Sequence, residues 1–103
     1  MTLRQKQSKF AHMVSTLIAY IYECGYEVTF GDAARMDNRG HCTNSLHYKR
    51  LAIDLNLFRN GRYMNKSEDH KPFGLFWESM GGSWGGRFKD GNHYSLGEGR
   101  GSK

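Results

Sequence analysis

Leu51, Ile53, Leu55 and Leu57 alternate with Ala52, Asp54, Asn56 and Phe58. A period of two over that length is a β-strand with one face against an apolar core. Asp54 falls on the other face, in the middle of the strand. A carboxylate in so apolar a segment needs a partner, because an unpaired buried charge is costly. A metal ion is one such partner. Asn60-Gly61 follows as a strong turn signal, and Arg62-Tyr63-Met64 returns as the second strand of a hairpin.

The other elements follow from spacing. Phe10, Met13, Val14, Leu17, Ile18, Ile21 and Tyr22 recur every three or four residues, which predicts an amphipathic helix from near Leu3 to Cys24, stopped by Gly25. Tyr26 to Phe30 alternates as a short strand. Gly31 to Asn44 is polar and aperiodic, a loop or a loop with a short helix. Ser67 to Pro72 reads as a helix start, and Phe73, Phe76, Trp77 and Met80 as that helix's buried face before Gly81-Gly82 ends it. Trp84 to Phe88 reads as a glycine-rich turn, His93 to Leu96 as a last strand. There are no repeats. The expected fold is α+β, a small antiparallel sheet flanked by helices. It forms a single domain over residues 1–103, with an N-terminal helix in 1–25 and a frayed tail at 97–103.

A chain of 103 residues buries only about 60–65% of its unfolded surface, so a bound metal would add noticeably to its stability. The net charge of +5 calls for an anionic partner, and nucleic acid, an anionic membrane face and bacterial cell-wall polymer all qualify. Cys24 and Cys42 make no disulfide framework and no CxxC pair, and are read as free thiols in a reducing compartment. The N-terminal residues are polar and basic and carry no secretory signal, and no segment reads as a membrane span. The chain is therefore expected to be made in the cytoplasm.

Four residues carry the chemistry: His47, Asp54, Asp90 and His93. Two imidazoles and one carboxylate, with a fourth position for water, are what a catalytic zinc needs. A second carboxylate held back from the metal suits a proton acceptor. Each pair alone is weak evidence, and an aspartate in Asp90-Gly91-Asn92-His93 is more often a turn residue. The combination, two histidines and two aspartates in this order, is what points to a metal site. His12, His41 and His70 lack that spacing and are read as structural or surface histidines.

Ser45-x-His47-x4-Ala52-x-Asp54, with the later Asp90-x-x-His93, resembles the zinc-dependent D-alanyl-D-alanine carboxypeptidase and L-alanyl-D-glutamate endopeptidase family. It looks closest to the short phage-type members that act as endolysins. Val28 to Ala33 through Arg35, Glu68 to Pro72 through Trp77-Glu78, and Trp84-Gly85-Gly86 extend the likeness over roughly Tyr26 to Leu96. The resemblance implies a Hedgehog- and DD-peptidase-like fold, with His47, Asp54 and His93 as ligands of one zinc ion and Asp90 as catalytic base. It implies Arg35 as the cation that holds a substrate carboxylate or polarises the scissile carbonyl, with Ser45 in support by hydrogen bonding. The implied partner is a peptidoglycan stem peptide, cut at L-alanyl–D-glutamate by a zinc-bound water that the aspartate activates. A monomer is expected, held in the cytoplasm of an infected host until release to the cell wall or periplasm. Arg50 stands where the family usually has glycine, which puts the local backbone in question, and Phe88 where tryptophan is common.

Three other readings stay open. A D-alanyl-D-alanine carboxypeptidase uses the same residues on a different bond. A nucleic-acid-binding protein fits the charge and the interleaved aromatics, but Lys and Arg are scattered and no nucleic-acid motif is present. A non-catalytic zinc-binding domain would need no Asp90.

Overall fold

The computed structural model describes residues 1–31 and 50–96. Thr2 opens helix α1 (Leu3–Glu23) with a capping box: its Oγ1 accepts from the Gln5 N–H at 3.1 Å, and the Gln5 Oε1 accepts from the Thr2 N–H at 2.8 Å. Of the stripe the spacing predicts, Phe10, Met13, Leu17 and Ile21 lie buried along one side of α1 and Val14 and Ile18 are half-buried beside them, whereas Tyr22 at the end of the helix is exposed. Gly25 follows the helix with φ +89°, the left-handed stop expected of it.

Four further strands join β1 (Glu27–Phe30) in one antiparallel sheet: β2 (Ala52–Arg59), β3 (Arg62–Met64), β4 (Ser83–Trp84) and β5 (His93–Ser95). The sheet order is β1-β2-β5-β4, with β3 also on β2. Strand β2 is the hub. It pairs with β1 from Leu55 to Phe58, with β5 from Ala52 to Asp54, and with β3 from Leu57 to Arg59. The hairpin turn is Asn60-Gly61, both with positive φ, as a two-residue turn between twisted strands requires.

Helix α2 (Lys71–Ser79) begins after a 3-10 turn over Ser67–His70, so the helix start expected at Ser67 is tighter than an α-helix in its first turn. Phe73 and Trp77 are buried, whereas Phe76 and Met80 only edge the core. Trp84 differs from its expected place in a turn. It ends the two-residue strand β4, paired to Tyr94, and the 3-10 turn Gly85–Phe88 follows it. The core gathers the α1 stripe, Leu51, Leu55 and Leu57 from β2 and its entry, Phe73 and Trp77 from α2, and Trp84 and Tyr94. The Trp77 Nε1–H donates to the Ser95 carbonyl at 2.8 Å, tying α2 to β5. Helices on one face of a small antiparallel sheet make this an α+β fold, as expected. Cys24 is free and exposed. No helix among the described residues is long and apolar enough to cross a membrane.

Candidate metal and catalytic site

Because β2 puts its leucines into the core, Asp54 and Asn56 project from the opposite face of the sheet. The β2–β5 register sets Asp54 directly opposite His93. Cross-strand neighbours place their side chains side by side, and here Asp54 Oδ1 lies 3.2 Å from His93 Nδ1. Their side chains are 23% and 15% exposed, half-buried at the sheet surface. Two ligand atoms bound at ~2.1 Å to one tetrahedral ion stand ~3.4 Å apart. The spacing thus suits a shared ion as well as it suits a hydrogen bond, and one nitrogen with one carboxylate oxygen is a donor set zinc accepts. Among the described residues no group of three His, Cys, Asp or Glu converges to hold a metal. His47, expected as the third ligand, lies outside the described residues, as do Arg35, Ser45, His41, Cys42, the Gly31–Asn44 loop beyond Gly31 and the tail at 97–103.

Asp90 is exposed on the turn that leads into β5. This turn is clamped from three sides. The Asp90 N–H donates to the Gly85 carbonyl at 2.9 Å, and the His93 N–H donates to the Asp90 carbonyl at 3.1 Å. The Gly91 N–H donates to the Ser67 Oγ at 2.9 Å, and the Trp84 Nε1–H donates to the Gly91 carbonyl at 2.7 Å. Two glycines make room for the clamp. A Cβ on Gly85 would stand 2.4 Å from the Asp90 carbonyl oxygen and 2.9 Å from the His93 Cβ. A Cβ on Gly91 would stand 2.4 Å from the Ser67 Cα. Asp90 therefore sits on a fixed turn, three residues from His93, rather than on a loose loop.

Three further residues shape the site without having been read from the sequence as part of it. Asn56 follows Asp54 by one pleat on the same face; its Oδ1 faces the Asn92 Nδ2 at 3.5 Å, and alternation alone could have flagged it. Ser67 and Trp84 hold the Asp90 turn from elements remote in sequence, which no local pattern signals. His70 is buried, its Nδ1 2.8 Å from the Tyr94 hydroxyl. Burial pushes its pKa down to about 4 against a weaker opposing pull from Asp69, and burial pushes the Tyr94 hydroxyl up. His70 is thus a neutral structural histidine, in keeping with the reading from sequence. His12 is exposed on α1.

The family model described as D-alanyl-D-alanine carboxypeptidase matches residues 39–96, from before the first histidine of the motif to the end of β5. The chain belongs to this peptidase family. Asp54, Asp90 and His93 all lie within the matched stretch, as does the Trp84-Gly85-Gly86 segment that makes room for the Asp90 turn. The D-alanyl-D-alanine carboxypeptidase family acts in peptidoglycan chemistry and is generally zinc-dependent. A search of curated proteins returns no significant match.

Proposed function

We propose that this chain is a zinc-dependent peptidoglycan peptidase of the endolysin type, a hydrolase that cuts a stem-peptide amide, with L-alanyl–D-glutamate as the bond. The observation that carries the reading is the Asp54–His93 pair, set in register at 3.2 Å on the open face of the sheet, with the Asp90 turn fixed beside it. His47, Asp54 and His93 would hold the ion. Zinc there supplies Lewis acidity, enough to lower the pKa of a water at the site toward about 7.

The remaining steps belong to the chain. Asp90 takes a proton from the attacking water, whose oxygen bonds to the amide carbon. The carbon–nitrogen bond breaks, and Asp90 returns the proton to the leaving amine. Arg35 would polarise the carbonyl or hold a substrate carboxylate, and Ser45 would support the site by hydrogen bonding. The net charge of +5 suits an anionic wall polymer as partner. The domain would act as one unit over residues 1–103, as a monomer, and would reach the wall only after release from the cytoplasm of an infected host.

The family description itself favours a second reading, a carboxypeptidase that releases D-alanine. One experiment separates the two. Purified peptidoglycan is incubated with the protein, with and without chelator and added zinc, and the soluble products are identified by mass spectrometry. New L-alanine carboxyl termini and D-glutamate amino termini, dependent on zinc, support the endopeptidase. Free D-alanine without solubilised wall supports the carboxypeptidase. No product from zinc-loaded protein contradicts both and turns attention to nucleic-acid binding or to a silent zinc-binding domain.

A further inference from the structure

A cleft of about 160 Å³ opens beside Asp90 where one edge of β2 changes partner. On that edge β5 pairs as far as Asp54 and β3 takes over only at Leu57. The gap is walled on one side by Tyr63, Lys66 and Ser67 and on the other by Lys89, Asp90 and Asn92. A cavity near 150 Å³ admits a benzene-sized group, so this one holds a single small substituent rather than a peptide strand.

Its lining carries a net positive charge, Lys66 and Lys89 against the one carboxylate of Asp90. Neither lysine ammonium is paired with a carboxylate among the described residues. The contrast with Arg87, two residues before Lys89, is direct. Arg87 is held by Glu78 through two hydrogen bonds of 2.7 and 2.8 Å. Lys89 also has a left-handed backbone, φ +64° and ψ +30°. That conformation costs a side-chain-bearing residue about 1 kcal/mol and glycine almost nothing. Its flanking hydrogen bonds, from the Lys89 N–H to the Gly86 carbonyl and from the Asp90 N–H to the Gly85 carbonyl, fix it there. A lysine is thus held at a strained position on the rim of the cleft, adjacent to the proposed base.

We infer that this cleft is a carboxylate subsite for the leaving-group side of the substrate, with Lys66 and Lys89 as specificity-determining residues. The inference rests on the proposed peptidase function. Asp90 hands its proton to the leaving amine, so the fragment carrying that amine lies on the Asp90 side of the site, where the cleft is. A D-glutamyl residue joined onward through its side chain keeps a free α-carboxylate two bonds from that nitrogen. The ammonium groups of Lys66 and Lys89 attract this anion and bind the corresponding amide more weakly, through its uncharged carbonyl oxygen alone.

The test compares kcat/KM on two synthetic stem peptides that differ only at this group, one with the D-glutamyl α-carboxylate and one with the α-amide. Zinc-loaded wild type should prefer the acid by about tenfold, the scale of one partly solvated charge-assisted hydrogen bond. Lys66→Gln and Lys89→Asn should each lower that ratio, and the double variant should bring it near one, chiefly through a higher KM for the acid. Asparagine accepts the left-handed backbone, so Lys89→Asn removes the charge without adding strain. Lys9→Gln removes the same charge from the exposed side of α1 and should keep the wild-type ratio. Equal cleavage of both peptides by wild type overturns the inference and leaves the peptidase intact, as does a wild-type ratio in the double variant. Cleavage of neither peptide, with no product from peptidoglycan, overturns the peptidase reading and the subsite with it.

Discussion

Arg50 shows how much one residue's backbone can explain. The family resemblance leads one to expect glycine there, and Arg50 adopts φ +60°, the left-handed conformation that glycine holds without strain. The arginine keeps the turn into β2 at a conformational cost and adds its side chain to an apolar cleft with Gln7, Phe10 and Ile53. Arg50→Gly should raise stability by about 0.5–1 kcal/mol, the relief of that strain less the glycine's own entropy. Chemical denaturation measures it, and a lower midpoint would mean that the side chain's packing outweighs the strain. Asp90→Asn is the complementary test of chemistry. It should leave zinc binding intact and slow peptide cleavage by a factor of about 10² to 10⁴, the usual worth of a general base. An unchanged rate would remove Asp90 from the mechanism. At this scale the sequence was informative where parity decides: Asp54 had to leave the leucine face. It set His70 apart from the ligands but was silent on its partner Tyr94, which it meets only in the folded chain.

Among the elements, α1 and the β2–β3 hairpin were legible because each carries its own period and its own stop signal. Strand β4 was not. Two residues show no periodicity, and Ser83 and Trp84 are strand only because β5 offers its edge. The turn that presents Asp90 has the same character. Its glycine-rich approach, Trp84-Gly85-Gly86, reads locally as a flexible turn, yet Gly85 is small because Asp90 and His93 pack against it. Gly85→Ala should therefore cost about 1–3 kcal/mol by overpacking and displace the Asp90–His93 turn. Zinc affinity should fall together with the melting temperature. A variant that binds zinc as tightly as wild type would show that the turn yields without moving the ligand.

For the whole molecule, stability should depend on pH through His70. Its pKa of about 4 in the fold lies below the usual value of 6.5, so between these values the unfolded chain binds the extra proton. Stability is then complete above about pH 6.5 and is lost as pH falls toward 4, by up to about 3 kcal/mol. Denaturation of wild type and His70→Gln across that window checks it. The wild-type curve should fall more steeply on acidification, and parallel curves would contradict the assignment.

If Asp54 and His93 are zinc ligands, the ion must raise the melting temperature, because an ion that binds only the fold stabilises it. Wild type and Asp54→Ala are melted with excess zinc and with chelator. Zinc at about 1,000 times its dissociation constant adds about 4 kcal/mol, which in a domain of this size is a rise of well over ten degrees. Wild type should show that rise and Asp54→Ala none. Equal melting temperatures for wild type with zinc and with chelator would contradict the ligand assignment.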